Sequence, residues 1–156
     1  MAHEHLFACK LVWTGAAHGS TKDYASYSRE YSVEMEGKPL LRGTAAPVFR
    51  GDPSLHNPED LLVASLAGCH CLSYLALAVR SGIEVLAYED AARGRMAMHE
   101  GKLRFVEVVL APKVTIAKGS DPDKARALHE KAHSECFIAN SVNFPVKNEP
   151  EIIVAD

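Results

Sequence analysis

Several common routes to function are missing from this chain. It has no nucleotide-binding glycine loop and no serine-nucleophile motif. It shows no internal repeat and no low-complexity segment. Neither sign of charge is in large excess: the net charge is −3, which gives no electrostatic reason to expect nucleic acid or an anionic membrane as partner. The start, Met1-Ala2-His3-Glu4-His5, lacks the charged, apolar and cleavage regions of a secretory signal. The longest apolar stretch, Leu61 to Val79, is interrupted by Ser65, Gly68, His70, Ser73 and Tyr74, which favours a buried helix over a membrane span. A cytoplasmic protein is expected. In that reducing compartment the four cysteines, Cys9, Cys69, Cys71 and Cys136, are expected to be free thiols at rest.

What is present is an ordinary globular composition. With 47% apolar and 24% charged residues, disorder is not expected, and 156 residues suffice for one domain with a core, residues 1–156. Leu6 to Trp13 alternates, with Phe7, Cys9, Leu11 and Trp13 on one face, and reads as a strand. Cys9 is accordingly expected in the core as a small hydrophobe. Tyr27 to Met35 and Leu40 to Phe49 read as further strands, separated by the turn Glu36-Gly37-Lys38-Pro39.

A long helix is predicted from Asn57 to Gly82. Asn57 suits the cap, Pro58 the first helical position, and Glu59 and Asp60 the positive end of the dipole. Ile83 to Met98 and Leu103 to Ile116 read as two long strands joined at Glu100-Gly101. A second helix runs from Asp121-Pro122 to about Glu135, and Val146 to Val154 closes the chain as a strand. This order argues an α+β fold, two helices on mostly antiparallel sheet. The long helix is apolar around most of its circumference, which a second sheet or a partner subunit would explain.

Chemistry centres on Cys69, inside the long helix, and Cys136, at the end of the second. The run Asn57-Pro58-Glu59-Asp60-Leu61 through Ala67-Gly68-Cys69-His70 resembles the Asn-Pro-Glu…Cys helix of the OsmC/Ohr family. Ala132-His133-Ser134-Glu135-Cys136 is similar to that family's Ala-His-x-x-Cys stretch. The resemblance spans essentially the whole chain and is nearest to an OsmC-like branch with histidine after the helix cysteine. It implies an OsmC-like fold, an intertwined homodimer, and a thiol peroxidase that reduces organic hydroperoxides. Cys69 would be the peroxidatic thiol and Cys136 the resolving thiol, joined transiently in a disulfide. Glu59 would orient an activating arginine, Arg50 or alternatively Arg29. No cofactor is implied beyond an external dithiol reductant, in this family a lipoylated protein.

These residue types suit that chemistry. The thiolate is the nucleophile, and a free cysteine, with a pKa of about 8.5, needs a nearby cation to be ionised at neutral pH. A carboxylate can hold a guanidinium by a bidentate pair. The sequence departs from the best-known members in three places: His70 stands where an aromatic is usual, Phe137 where proline is common, and the loop Ser20 to Glu30 is long.

Helix geometry adds a separate constraint. Ten residues separate Glu59 from Cys69, about 15 Å along one axis. Two antiparallel copies would bring Glu59 of one near Cys69 of the other, so sites at the interface of a homodimer are expected. Cys71 lies roughly 200° around the helix from Cys69 and points away from it.

Other readings compete. Glu59 could serve only the helix dipole, Cys71 only packing, and His56 only capping, while His70, directly after Cys69, could line the pocket or tune the thiol or be a satisfied buried histidine. Arg50-Gly51-Asp52 is a chance match to an adhesion tripeptide. His129-Glu130-Lys131-Ala132-His133 is a literal zinc-protease pattern, with Glu149 or Glu151 as a third ligand. Its bland reading places His129 and Glu130 on a solvated face and His133 under Cys136. Three functions follow: the peroxidase, a non-catalytic dimer that senses oxidants or binds an apolar ligand, and, remotely, a zinc hydrolase.

Overall fold

A computed structural model describes residues 4–156; residues 1–3 of the stretch read as lacking a signal lie outside them. The chain divides into two compact units, the first ending at Leu61 and the second running Leu62–Asp156.

The first unit carries a small antiparallel sheet, β1 (Lys10–Val12), β2 (Tyr31–Glu34) and β3 (Leu41–Gly43), in the order β1-β2-β3. All three strands are shorter than their sequence patterns. β1 pairs only opposite Ser32–Glu34, so the alternating residues before Lys10 have no neighbouring strand. Cys9 is therefore exposed and not in the core, as are Leu6, Phe7 and Leu11. β3 stops at Gly43 because the chain turns away: the Thr44 N–H donates to the His56 carbonyl at 2.8 Å, and Pro47 opens a short 3-10 helix ending at Phe49.

α1 (Pro58–Arg80) begins where the caps predict. The Asn57 carboxamide oxygen accepts from the Asp60 N–H at 2.9 Å, and its Nδ2 donates to the Asp60 carboxylate at 2.7 Å. Asn57, not His56, is the cap. The far end closes on Gly82, whose φ of +74° lets the Ile83 N–H reach back to the Ala78 carbonyl at 2.9 Å.

Leu66, His70, Tyr74, Leu77 and Ala78 form the buried stripe of α1, spaced at helical period. The rest of its apolar surface is uncovered: Leu72 is 70% and Val79 73% exposed. By length and hydropathy alone α1 could cross a membrane, yet its buried stripe packs on strand residues.

The second unit is built on one long hairpin. β4 (Val85–Asp90) and β5 (Arg93–His99) descend, and β6 (Lys102–Leu110) and β7 (Pro112–Ile116) return. Glu100 and Gly101, with φ of 49° and 75°, make the two-residue turn that positive φ at both positions requires. Each predicted long strand is split in two. Pro112 has no N–H to donate, and the Ala111 N–H is taken by the Asp90 carboxylate at 2.8 Å, so the ladder is interrupted there. The hairpin thereby enters two sheets, β4-β7-β9 and β5-β6-β8.

The closing strand is likewise two pieces around Pro150, β8 (Val146–Asn148) parallel to β6 and β9 (Glu151–Val154) parallel to β7. α2 (Pro122–Glu135) starts on Asp121, whose carboxylate accepts from the Asp123 and Lys124 N–H groups. The α+β expectation holds: two helices on mostly antiparallel sheets, with the closing strands parallel. Tyr74, Leu77, Ala78, Ile83, Val114, Ile116, Ala125 and Ala132 form one core; Leu66, Val108 and Leu110 form the other.

Candidate functional site: the seam between two helices

Cys69 and Cys136 come together, although they are far apart in sequence. Cys69 is half-buried on α1, and Cys136 is buried at the C-cap of α2. Burial first, and then a hydrogen bond to Cys69, push the Cys136 thiol up to about 11. Its S–H is therefore retained and donated to the Cys69 sulfur. The Cys136 sulfur in turn accepts from the Ala139 N–H at 3.5 Å. The Cys136 sulfur thus keeps its proton beside the Cys69 sulfur.

The seam continues away from the thiols. His70 is fully buried and its Nε2 lies 3.0 Å from Nδ1 of His129, itself 2% exposed. The two rings stack at 5.3 Å, and His129 stacks on Tyr74 at 4.0 Å with 16° between planes. The Tyr74 hydroxyl donates to the Ala125 carbonyl at 3.2 Å. Burial lowers both imidazoles, His70 to about 4 and His129 to about 3, with His133 acting on the first, and His70 and Arg126 on the second. Both rings are neutral at pH 7, so one donates to the other.

The remaining candidates lie in the first unit. The Arg29 guanidinium covers the rings of Tyr27 and Tyr24, at 4.1 and 4.9 Å, and donates to the Tyr27 and Tyr24 carbonyls at 2.8 and 2.6 Å. Arg50, exposed and left-handed at φ 67°, stands 5.9 Å from the same Tyr24 ring. Both rival arginines thus sit at one tyrosine. Glu59 occupies the first turn of α1, close enough to Tyr31 for its charge to raise that phenol, after burial. Its Oε2 is buried and has no hydrogen-bond partner among the described residues.

A family model described as OsmC-like protein matches residues 51–151. The chain belongs to the OsmC-like family. An OsmC-like protein of unknown function from Vibrio cholerae is 30% identical and superposes with a TM-score of 0.87, over 96% of this chain and 100% of that one. A structure from Legionella pneumophila named an organic hydroperoxide resistance protein is 19% identical, with a TM-score of 0.71, covering 98% of this chain and all of its own. The uncharacterized protein YmaD of Bacillus subtilis is 24% identical over 155 residues, 97% of this chain and 95% of its own length.

In this OsmC-like chain one residue departs from the sequence reading, and Cys71 follows it. His129 is not on a solvated face; it is turned inward onto His70. The zinc pattern loses its geometry by that turn, and among the described residues no three His, Cys, Asp or Glu side chains form a metal-holding group. The signal for His129 was its helical spacing from Ala125, Ala132 and Cys136, all buried. Cys71 is half-buried beside Asp90 and Tyr88, on a different side of α1 from Cys69. Burial, then the Asp90 charge, raise its thiol.

Proposed function

We propose that this OsmC-like protein is a thiol-dependent peroxidase of organic hydroperoxides, working in a reducing cytoplasm without a bound cofactor. The observation that carries this reading is the meeting of the Cys69 and Cys136 sulfurs across the α1–α2 seam. The Cys69 thiolate attacks the outer peroxide oxygen: an S–O bond forms, the O–O bond breaks, and the alkoxide leaves as the alcohol after taking a proton. Cys136 then attacks the sulfenic sulfur, forming the disulfide and releasing water. An external dithiol, such as a lipoylated protein, reopens the bond by exchange and is itself oxidised.

The second element is a homodimer with composite sites. The uncovered face of α1, with Leu72 and Val79, and the exposed Leu6, Phe7 and Leu11 are apolar surface that a second copy would bury. Glu59, whose buried oxygen has no partner among the described residues, would hold the guanidinium of Arg50 or Arg29 against Cys69 of a second copy. Names given to relatives such as the Legionella protein support the peroxide as substrate.

The test is intact mass and peptide mapping after one equivalent of cumene hydroperoxide. The expected product has lost two hydrogens and carries a Cys69–Cys136 bridge; Cys69→Ser shows no such loss. A wild-type protein left fully reduced by the peroxide overturns the reading.

A further inference from the structure

Resolving chemistry demands alignment that apolar packing alone does not supply. A disulfide needs its Cα atoms about 4.4–6.8 Å apart with a narrow dihedral. Burial of apolar surface is non-directional and lets one helix slide on another at small cost. Along this seam, however, the contacts form a ladder of fixed register. Cys69 meets Cys136, His70 meets His129, and Tyr74 meets Ala125. Residue numbers rise on α1 as they fall on α2, so the helices run antiparallel, and a slip of one turn, about 5.4 Å, would break every rung.

The middle rung is the directional one. The His70–His129 bond is 3.0 Å long, both rings are buried, and Tyr74 fixes the plane of His129 by stacking. In such surroundings a hydrogen bond is stronger than in water, and losing it leaves a buried nitrogen unpaired. One partner directly follows the peroxidatic cysteine. The other lies two turns before Cys136, on the same helix.

We infer that His70 and His129 are positioning residues for the thiol pair: their bond holds α2 in register on α1 and so sets how readily Cys69 and Cys136 become a disulfide. This rests on the proposed pairing of the two cysteines, but not on peroxide as the oxidant. Neither imidazole touches substrate. The bond acts through the effective concentration of one sulfur at the other, a quantity that errors of an ångström reduce steeply.

The experiment measures the equilibrium between protein dithiol and disulfide in glutathione buffers, where two glutathiones are oxidised to one glutathione disulfide as the protein bridge opens. His129→Phe keeps the ring stacked on Tyr74 but removes the bond. It is expected to shift the equilibrium about tenfold toward the dithiol. His129→Asn, whose amide sits where Nδ1 stood, is expected to stay within about threefold of wild type. Trp13→Phe, which removes the bond from the indole N–H to the Ser28 carbonyl in the first unit, is the control: it lowers stability but leaves the thiol equilibrium unmoved.

Equal equilibria in wild type and His129→Phe overturn the inference, as does a Trp13→Phe shift as large as that of His129→Phe. A bridge that glutathione disulfide forms and cumene hydroperoxide does not would overturn the peroxidase and leave the positioning role standing. Absence of any Cys69–Cys136 bridge under both oxidants would overturn both.

Discussion

Cys69 and Cys71 are two residues apart on one helix, yet their surroundings share almost nothing. Cys69 faces a second sulfur that offers it a proton, within a seam where aromatic rings are stacked and neutral imidazoles are paired. Cys71 faces the Asp90 carboxylate and the Tyr88 phenol. The Tyr88 hydroxyl and one Asp90 oxygen are buried without hydrogen-bond partners among the described residues. Burial lifts the Asp90 carboxyl above its usual range and the Tyr88 phenol well above its own, with the Asp90 charge adding to the latter. Burial and the Asp90 charge disfavour an anion at Cys71, whereas Cys69 has the Cys136 thiol as its neighbour. Identity and helix are common to both thiols, so the difference in chemistry comes from what the 200° rotation between them brings each one to face.

The comparison breaks most visibly in a pair of cysteine variants. Cys69→Ser is expected to reduce hydroperoxide consumption to the buffer rate, while Cys71→Ser stays within about twofold of wild type, both followed by residual peroxide with a dithiol present. Next in size is His129→Ala. It opens a cavity under Tyr74 and strands His70 Nε2, and should cost about 3 kcal/mol in urea unfolding.

A pH series sharpens the seam's side of the contrast. His70 and His129 have folded values lowered to about 4 and about 3, against about 6.5 unfolded. The unfolded chain therefore binds more protons below pH 6.5. Their contribution is fully present above that pH and is lost as pH falls toward about 4, at up to about 1.4 kcal/mol per pH unit for each ring. His133 and Arg126, which face the pair, also disfavour its charging. The double variant His70→Phe plus His129→Phe is expected to flatten this slope in urea titrations between pH 7 and 5. The smallest effect belongs to the other side: Asp90→Asn removes the charge near Cys71 and should speed its alkylation by iodoacetamide about twofold.

Local signals in the sequence located the ends of elements well. Asn57 and Asp121 cap the helices as their side chains dictate, Gly82 stops α1, and Glu100-Gly101 turns the hairpin. Continuity of the strands was not legible. A run of alternating apolar residues has the same pattern whether it stays in one sheet or crosses into a second, and the crossing here depends on Asp90 reaching the Ala111 N–H, 21 residues away. Cys9 alternated as a core residue does, but burial needs an opposing surface that β2 does not extend far enough to provide.

At the site, Cys69 and Cys136 were legible through their motifs. His129 was not, because the zinc-like spacing to His133 suggested a solvated face and its true partner lies 59 positions upstream.

Cys136 ends its helix instead of standing within it. Its backbone is extended, at φ −73° and ψ 111°, and a single 3-10 turn, Ala139–Ser141, follows after the 80% exposed Phe137. Access for a bulky reductant would then require only fraying of residues 137–141, with every hydrogen bond inside α2 left intact. A buried sulfur at a helix terminus can be reached through local opening far cheaper than global unfolding.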